Sequence, residues 1–177
     1  MIITVEEIKE MPEFKDMPEA TIKRKLTAIE ELVRAYTNNN FQNRAKRIHA
    51  PSSELKLQGI CEYFKEGDTV QITESAVNDG LYVIKSIDKA NGTITLDKDL
   101  YEAEHNLVTK IEYPTAIVEG TVNLMLWDVG MRDKVGIASE TLSRHSVTYF
   151  SQDAGNQLMG YPVTLLGFLK PFTKARF

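Results

Sequence analysis

The stretch PEATIKRKLTAIEELVRAY, Pro18 to Tyr36, decides how the rest of the chain is read. Ile22, Leu26, Ile29, Val33 and Tyr36 recur at steps of four, three, four and three, which places them on one side of a 3.6-residue helix. Lys23, Arg24, Lys25, Glu30, Glu31 and Arg34 mostly take the other side. Asp16 and Glu19 have the spacing of a capping box, and Pro18 is tolerated in a first turn. Thr37-Asn38-Asn39-Asn40 is the predicted stop, because short polar side chains compete for backbone hydrogen bonds. One apolar stripe needs a partner to bury it. The best partner lies far along the chain, at Pro114 to Val129, and the stretch between reads as β. The expectation is an α+β fold: a small helical frame, with helices near 4–9, 18–37, 114–129 and 162–169, carrying an inserted small β-barrel or SH3-like module. In domain terms, 1–41 plus 114–177 form the frame and 42–113 the insert.

The outer helices follow from the same rules. Thr4 and Glu7 match a capping box, Val5 and Ile8 share a face, and Met11-Pro12 ends the turn. On 114–129, Val118, Val122, Met125 and Val129 form one stripe, while Ile117, Leu124 and Trp127 lie elsewhere around the helix. That much apolar surface implies cover on more than one side, from the rest of the frame or from a neighbouring subunit. Within the insert, Gly67-Asp68 and Asn78-Asp79-Gly80 read as turns flanking Thr69–Thr73, with Val70 and Ile72 inward. Asn91-Gly92 predicts a type I′ hairpin joining Val83–Asp88 to Thr93–Leu96. Leu107 to Tyr113 completes a set of short strands with tight turns. Gly130 to Gly136 is a charged turn. Residues 137–160 read mostly as loop with a short strand at Thr148 to Phe150, and Pro171 is expected to stop a last helix at 162–169.

Composition narrows the function classes. The 177 residues are 42% hydrophobic with a formal charge of −4, ordinary values for a globular chain and no global signature of nucleic-acid binding. Basic residues concentrate at Arg44, Lys46 and Arg47 and again at Lys170, Lys174 and Arg176. Cys61 is the only cysteine, so no intrachain disulfide or multi-cysteine zinc site forms; it reads as a small buried hydrophobe. Glu6, Glu7 and Glu10 interrupt any signal-peptide pattern, and no stretch approaches the ~20 apolar residues of a membrane span, so a soluble protein made in a cytoplasm is expected.

No catalytic, cofactor-binding or metal-binding residues are assigned. The glycine turns lack phosphate-loop spacing, and His49, His105 and His145 are scattered without a partner motif. Glu102-Ala103-Glu104-His105 reads as a solvated acidic loop, the acids from Asp97 to Glu104 do not follow a calcium loop, and Ser139, Ser143 and Ser146 lack a nucleophile-elbow context. A dispersed enzyme site is the weakest reading. Arg44, Lys46 and Arg47, with aromatic Tyr63 and Phe64, motivate an alternative: a small β-barrel nucleic-acid-binding module that stacks bases on exposed rings. The apolar excess and the basic tail favour a protein that assembles with copies or partners.

Three pieces of the chain resemble the head-to-tail connector (adaptor, or head-completion) proteins of long-tailed bacteriophages. The first is Thr4-Val5-Glu6-Glu7-Ile8-Lys9 followed by the long helix ending Ala35-Tyr36-Thr37-Asn38-Asn39-Asn40-Phe41. The second is the later helix followed by Gly136-Ile137-Ala138-Ser139-Glu140-Thr141-Leu142 and Ser146-Val147-Thr148-Tyr149-Phe150. The third is Leu165-Leu166-Gly167-Phe168-Leu169-Lys170-Pro171-Phe172. These cover roughly half of the chain; the β insertion at 42–113 departs from compact adaptors. The resemblance implies a virion structural protein with no cofactor, substrate or turnover. It implies a homo-oligomeric ring, often a dodecamer, below the portal protein, which extends the DNA channel and receives a tail-completion or stopper protein. DNA in the lumen would be touched without sequence reading and no membrane would be involved. Assembly would take place in the host cytoplasm, from an active phage or a prophage.

Overall fold

The computed structural model describes residues 1–131, 139–142, 145–148 and 157–175. The fold is α+β, with helices and an antiparallel seven-stranded sheet. The chain divides into two compact units: Ile2–Asn39 with Pro114–Phe177, and Asn40–Tyr113 together with Met1.

In the helical unit, α1 (Val5–Lys9) carries a complete capping box. The Thr4 hydroxyl accepts from the Glu7 amide at 3.2 Å, and the Glu7 carboxylate accepts from the Thr4 amide at 2.9 Å. A 3₁₀ turn, Pro12–Phe14, buries Phe14 and leads into α2 (Glu19–Thr37). The capping box expected from Asp16 and Glu19 is not formed. Pro18 occupies the cap in an extended conformation without a side-chain bond, and the Glu19 carboxylate pairs with Lys9 at 3.1 Å instead. Ile22, Leu26, Ile29 and Val33 are fully buried, with Leu32 beside them. Each such side chain contributes about 1.5–3 kcal/mol relative to exposure.

α3 (Thr115–Met131) packs against α2, and both pack against a terminal 3₁₀ segment, Val163–Phe172. The buried stripe of α3 differs from the expected one. Val122 and Met125 of the expected stripe are buried, but so are Ile117, Gly120, Thr121, Leu124 and Asp128, whereas Val129 is exposed. A glycine, a threonine and an aspartate lie on the inner face for separate reasons. Gly120 lies under the Phe168 ring, which an added Cβ would meet at 2.2 Å. The Thr121 hydroxyl donates to the Ile117 carbonyl at 2.9 Å, and Asp128 pairs with Lys25 of α2. The last helix is 3₁₀ rather than α and continues through Pro171, which was expected to stop it. Its buried residues Leu166 and Leu169 are three apart, the repeat of a 3₁₀ turn.

The 137–160 stretch is more regular than expected. β8 (Ser139–Leu142) and β9 (His145–Thr148) form an antiparallel pair, and Gln157–Leu158 pairs with Tyr161–Pro162. The charged turn read at Gly130 to Gly136 falls largely outside the described residues, as do Tyr149, Phe150 and Arg176.

The β unit comprises β1 (Gln42–His49), β2 (Ser52–Ser53), β3 (Lys56–Gln58), β4 (Thr69–Thr73), β5 (Gly80–Asp88), β6 (Thr93–Leu96) and β7 (Leu107–Ile111). Their order is β1-β7-β4-β5-β6-β3-β2, all antiparallel. β5 serves two ladders, with Gly80–Val83 on β4 and Ile84–Asp88 on β6, and Lys85 is the extra residue of a bulge. Phe64, Val70, Ile72, Tyr82, Ile84, Ile94, Leu96, Leu100 and Val108 share one core, with Cys61 partly buried against it. The sheet curls around this core but does not close, which corrects the barrel expectation. β1 and β2 are its two edges, although only Ala50 and Pro51 separate them along the chain. β2 is too short to form a ladder with β1, and the loop before β7 takes the place beside it. Ser52 and Ala103 exchange backbone bonds of 2.8 and 3.2 Å, and the Ala50 amide donates to the Asn106 carbonyl at 3.0 Å.

The Asn91-Gly92 hairpin is present but is a four-residue loop, 89–92, rather than a type I′ turn. Only Gly92 has positive φ. The Asp88 carboxylate accepts from the Ala90 and Asn91 amides and from the Asn91 side chain, which holds its pKa below the ordinary 3.8.

Candidate interaction surfaces of the β module

Three loops of the module meet at one buried polar cluster. Asn78 and Asn106 are almost wholly buried, as is Ser52. The Asn78 side-chain oxygen accepts from the Tyr101 amide at 2.8 Å, and its nitrogen donates to the Tyr101 carbonyl at 2.9 Å. That nitrogen also meets Ser52 Oγ and Asn106 Oδ1, each at 3.1 Å, so its two hydrogens are shared among three acceptors. The Ser52 hydroxyl donates to the same Tyr101 carbonyl at 2.7 Å. Asn106 donates to the Ala50 carbonyl at 2.9 Å and to Ser52 Oγ at 3.2 Å. The Tyr82 hydroxyl, whose pKa is pushed up by burial, donates to the Asn78 carbonyl at 2.9 Å.

The main chain of Tyr101 is thus held by three bonds from buried side chains, while 72% of the residue's surface is exposed. Leu100, next to it, is anchored in the core. Val77 and Leu55, on the two other loops, are also exposed. These loops carry backbone strain: Glu54, Leu55, Glu74 and Ala76 are non-glycine residues at φ between +50° and +66°. Such positions cost about 1–3 kcal/mol each and persist where the surroundings over-determine them. Rigidly presented, exposed apolar side chains on strained loops are suited to docking and have no role in the module's own core.

A second surface lies along edge strand β1. Its ladder with β7 breaks between Gln42, opposite Ile111, and Arg47, opposite Thr109, so residues 43–46 bulge out over a single partner position. Lys46 does not offer a free charge: it pairs with Glu112 at 2.6 Å, and Asn43 donates to the same carboxylate at 2.6 Å. These contacts hold Glu112 below its ordinary 4.5. Lys110 is tied to Asp68 at 2.6 Å. Arg44 and Arg47 are exposed, make no ion pair with a described residue, and line a groove of ≈ 350 Å³ with Gln42, Thr73, Glu74, Leu107 and Thr109.

The other residues singled out in the sequence separate. Phe64 is a core residue, 4% exposed, and only Tyr63 presents a ring. Glu62 beside Tyr63 pushes its phenol up. His49, Glu102, Glu104 and His105 are exposed, and no cluster of three or more His, Cys, Asp or Glu side chains fit for a metal occurs among the described residues. Among the described residues, no helix is long and apolar enough to cross a membrane.

Comparison with protein-family models and with curated proteins found no match.

Sequence reading missed the Asn78–Asn106 cluster because Asn78-Asp79-Gly80 has the composition of a turn. The usable signal was an asparagine, Asn106, closing a ten-residue acidic loop, 97–106, whose buried apolar anchor is Leu100.

Proposed function

We propose that this chain is the subunit of a phage head-to-tail connector, a ring of identical copies beneath the portal that extends the DNA channel and docks the tail. The observation that carries the reading is how α2 ends. The Thr37 carbonyl accepts from the Lys174 amide at 2.7 Å. The Asn38 side chain donates to the Ala175 carbonyl at 3.1 Å, and Asn39 donates to the Phe172 carbonyl at 3.2 Å. The Tyr-Thr-Asn junction and the basic-aromatic tail are two of the features that carry the family resemblance, and here they are bonded to one another. Held on the frame in this way, the segment presents exposed Lys170 and Lys174 from a fixed position to a neighbour or the portal. The β insert, an open antiparallel sheet, is an accessory to that frame that serves contacts with other proteins. The role needs no substrate, cofactor or turnover, and lumen charges would meet DNA phosphates without reading sequence.

The alternative, a nucleic-acid-binding β module, has weaker support: of its five motivating residues, Phe64 is buried and Lys46 is paired. Deleting the gene from its parent phage tests the proposal. The expected outcome is DNA-filled heads and finished tails that do not join, repaired by supplying the chain in trans. Joined, infectious particles without it would refute the proposal.

A further inference from the structure

We propose that the β modules of neighbouring copies dock head to tail, the Tyr101 loop of one entering the Arg44/Arg47 groove of the next. This rests on the connector reading, for which it supplies a lateral contact. The two surfaces carry opposite charges, arginines in the groove and carboxylates on the loop. The groove is a ≈ 350 Å³ depression across β1, β7 and the end of β4, lined by Glu74 as well as by Arg44 and Arg47, and the two arginines make no ion pair with a described residue. The loop presents Tyr101, a residue 72% exposed, flanked by exposed Asp99, Glu102 and Glu104. Guanidinium groups stack on aromatic faces and pair with carboxylates, so one occupant satisfies both arginines. The Asn78 and Ser52 bonds fix the Tyr101 main chain in advance, which removes much of the ordering cost of binding. Because groove and loop are different patches, the contact is heterologous and can be repeated from copy to copy, as the lateral contact of a ring must be.

The test uses the full chain and sedimentation velocity over a wide concentration range. Wild type forms multimers. Tyr101→Ala, which leaves the main-chain bonds in place, raises the concentration for half-assembly roughly thirtyfold, the loss expected for an interfacial hot spot. Arg44→Glu with Arg47→Glu does the same. Mixing the two variants restores one intact contact per pair, so dimers form and nothing larger. Circular dichroism checks that both variants remain folded. Multimers unaffected by either change overturn the contact while leaving the connector reading in place. A wild-type chain that is monomeric throughout also overturns it, and binding to portal-bearing capsids then tests the connector reading separately. If wild type stays monomeric but binds a DNA duplex at low salt, and Arg44→Glu with Arg47→Glu abolishes that binding, the groove belongs to nucleic acid and the proposal is wrong.

Discussion

Asn78→Ala should unfasten the Tyr101 loop while leaving the apolar core of the β module in place. The substitution removes four hydrogen bonds: two to the Tyr101 main chain, one to Ser52 and one to Asn106. Each contributes about 1 kcal/mol net, and a buried polar group left without a partner costs about 1–3 kcal/mol more. The Tyr101 carbonyl keeps the Ser52 hydroxyl, so it is not orphaned; Asn106 Oδ1 loses its amide partner. The expected destabilisation is about 4 kcal/mol, a large share of the ~5–15 kcal/mol by which domains are stable. Urea unfolding followed by circular dichroism measures the total. Amide hydrogen exchange at Tyr101, whose N–H loses its acceptor, reports the local event. A loss below about 1 kcal/mol with the Tyr101 amide as protected as in wild type would refute the claim that this cluster holds the loop.

Lys25→Ala should cost up to about 3 kcal/mol in the helical unit, because it removes a cation paired with the fully buried side chain of Asp128; Trp127, the sole tryptophan, reports the unfolding. Replacing Lys25 by Met and Asp128 by Leu together should recover most of that loss, and a double variant as unstable as the single one would contradict it. Gly120→Ala gains about 1 kcal/mol of helix propensity but drives a methyl into the Phe168 ring, so a net loss of about 1 kcal/mol is expected, relieved by Phe168→Leu; a raised melting temperature for the single variant would be wrong for this packing. In acid, Glu7, Asp88 and Glu112 all titrate below their ordinary values, chiefly through hydrogen bonds from Thr4, Asn91 and Lys46 respectively. Their stabilisation is present above the unfolded pKa and is lost as pH falls through the lower folded value. Melting temperature should therefore drop between about pH 5 and pH 3, less steeply in Glu112→Gln, and an unchanged slope would count against the Glu112 contacts.

The long helix was legible because its inner face is apolar up to Thr37 in the last turn: Ile22, Leu26, Ile29 and Val33 recur at the helical period and all are buried. α3 was legible as a helix but not in its facing. Its inner stripe includes Gly120, Thr121 and Asp128, which belong there only because Phe168 fills the space over the glycine, a backbone carbonyl satisfies the hydroxyl and Lys25 neutralises the carboxylate. Two of these partners, Phe168 and Lys25, lie on other elements, which periodicity along the helix cannot see. The β strands followed from alternation and turn residues, with Val70 and Ile72 inward as read. Closure of the sheet did not follow, because a loop with no strand pattern occupies the edge through Ser52, Ala103 and Asn106. The β8–β9 pair escaped notice since Ser139–Leu142 and His145–Thr148 carry little alternation and few apolar residues. Of the basic residues read on β1, Arg44 and Arg47 line the groove, but Lys46 is neutralised by Glu112, which lies 66 residues along the chain.

The connector reading is tested most directly by the mass of the full chain, measured by light scattering alone and then with its cognate portal ring. The account predicts a species of many copies in at least one of the two conditions, with a fixed number of chains per portal. A strict monomer in both, with no association with the portal, would contradict it.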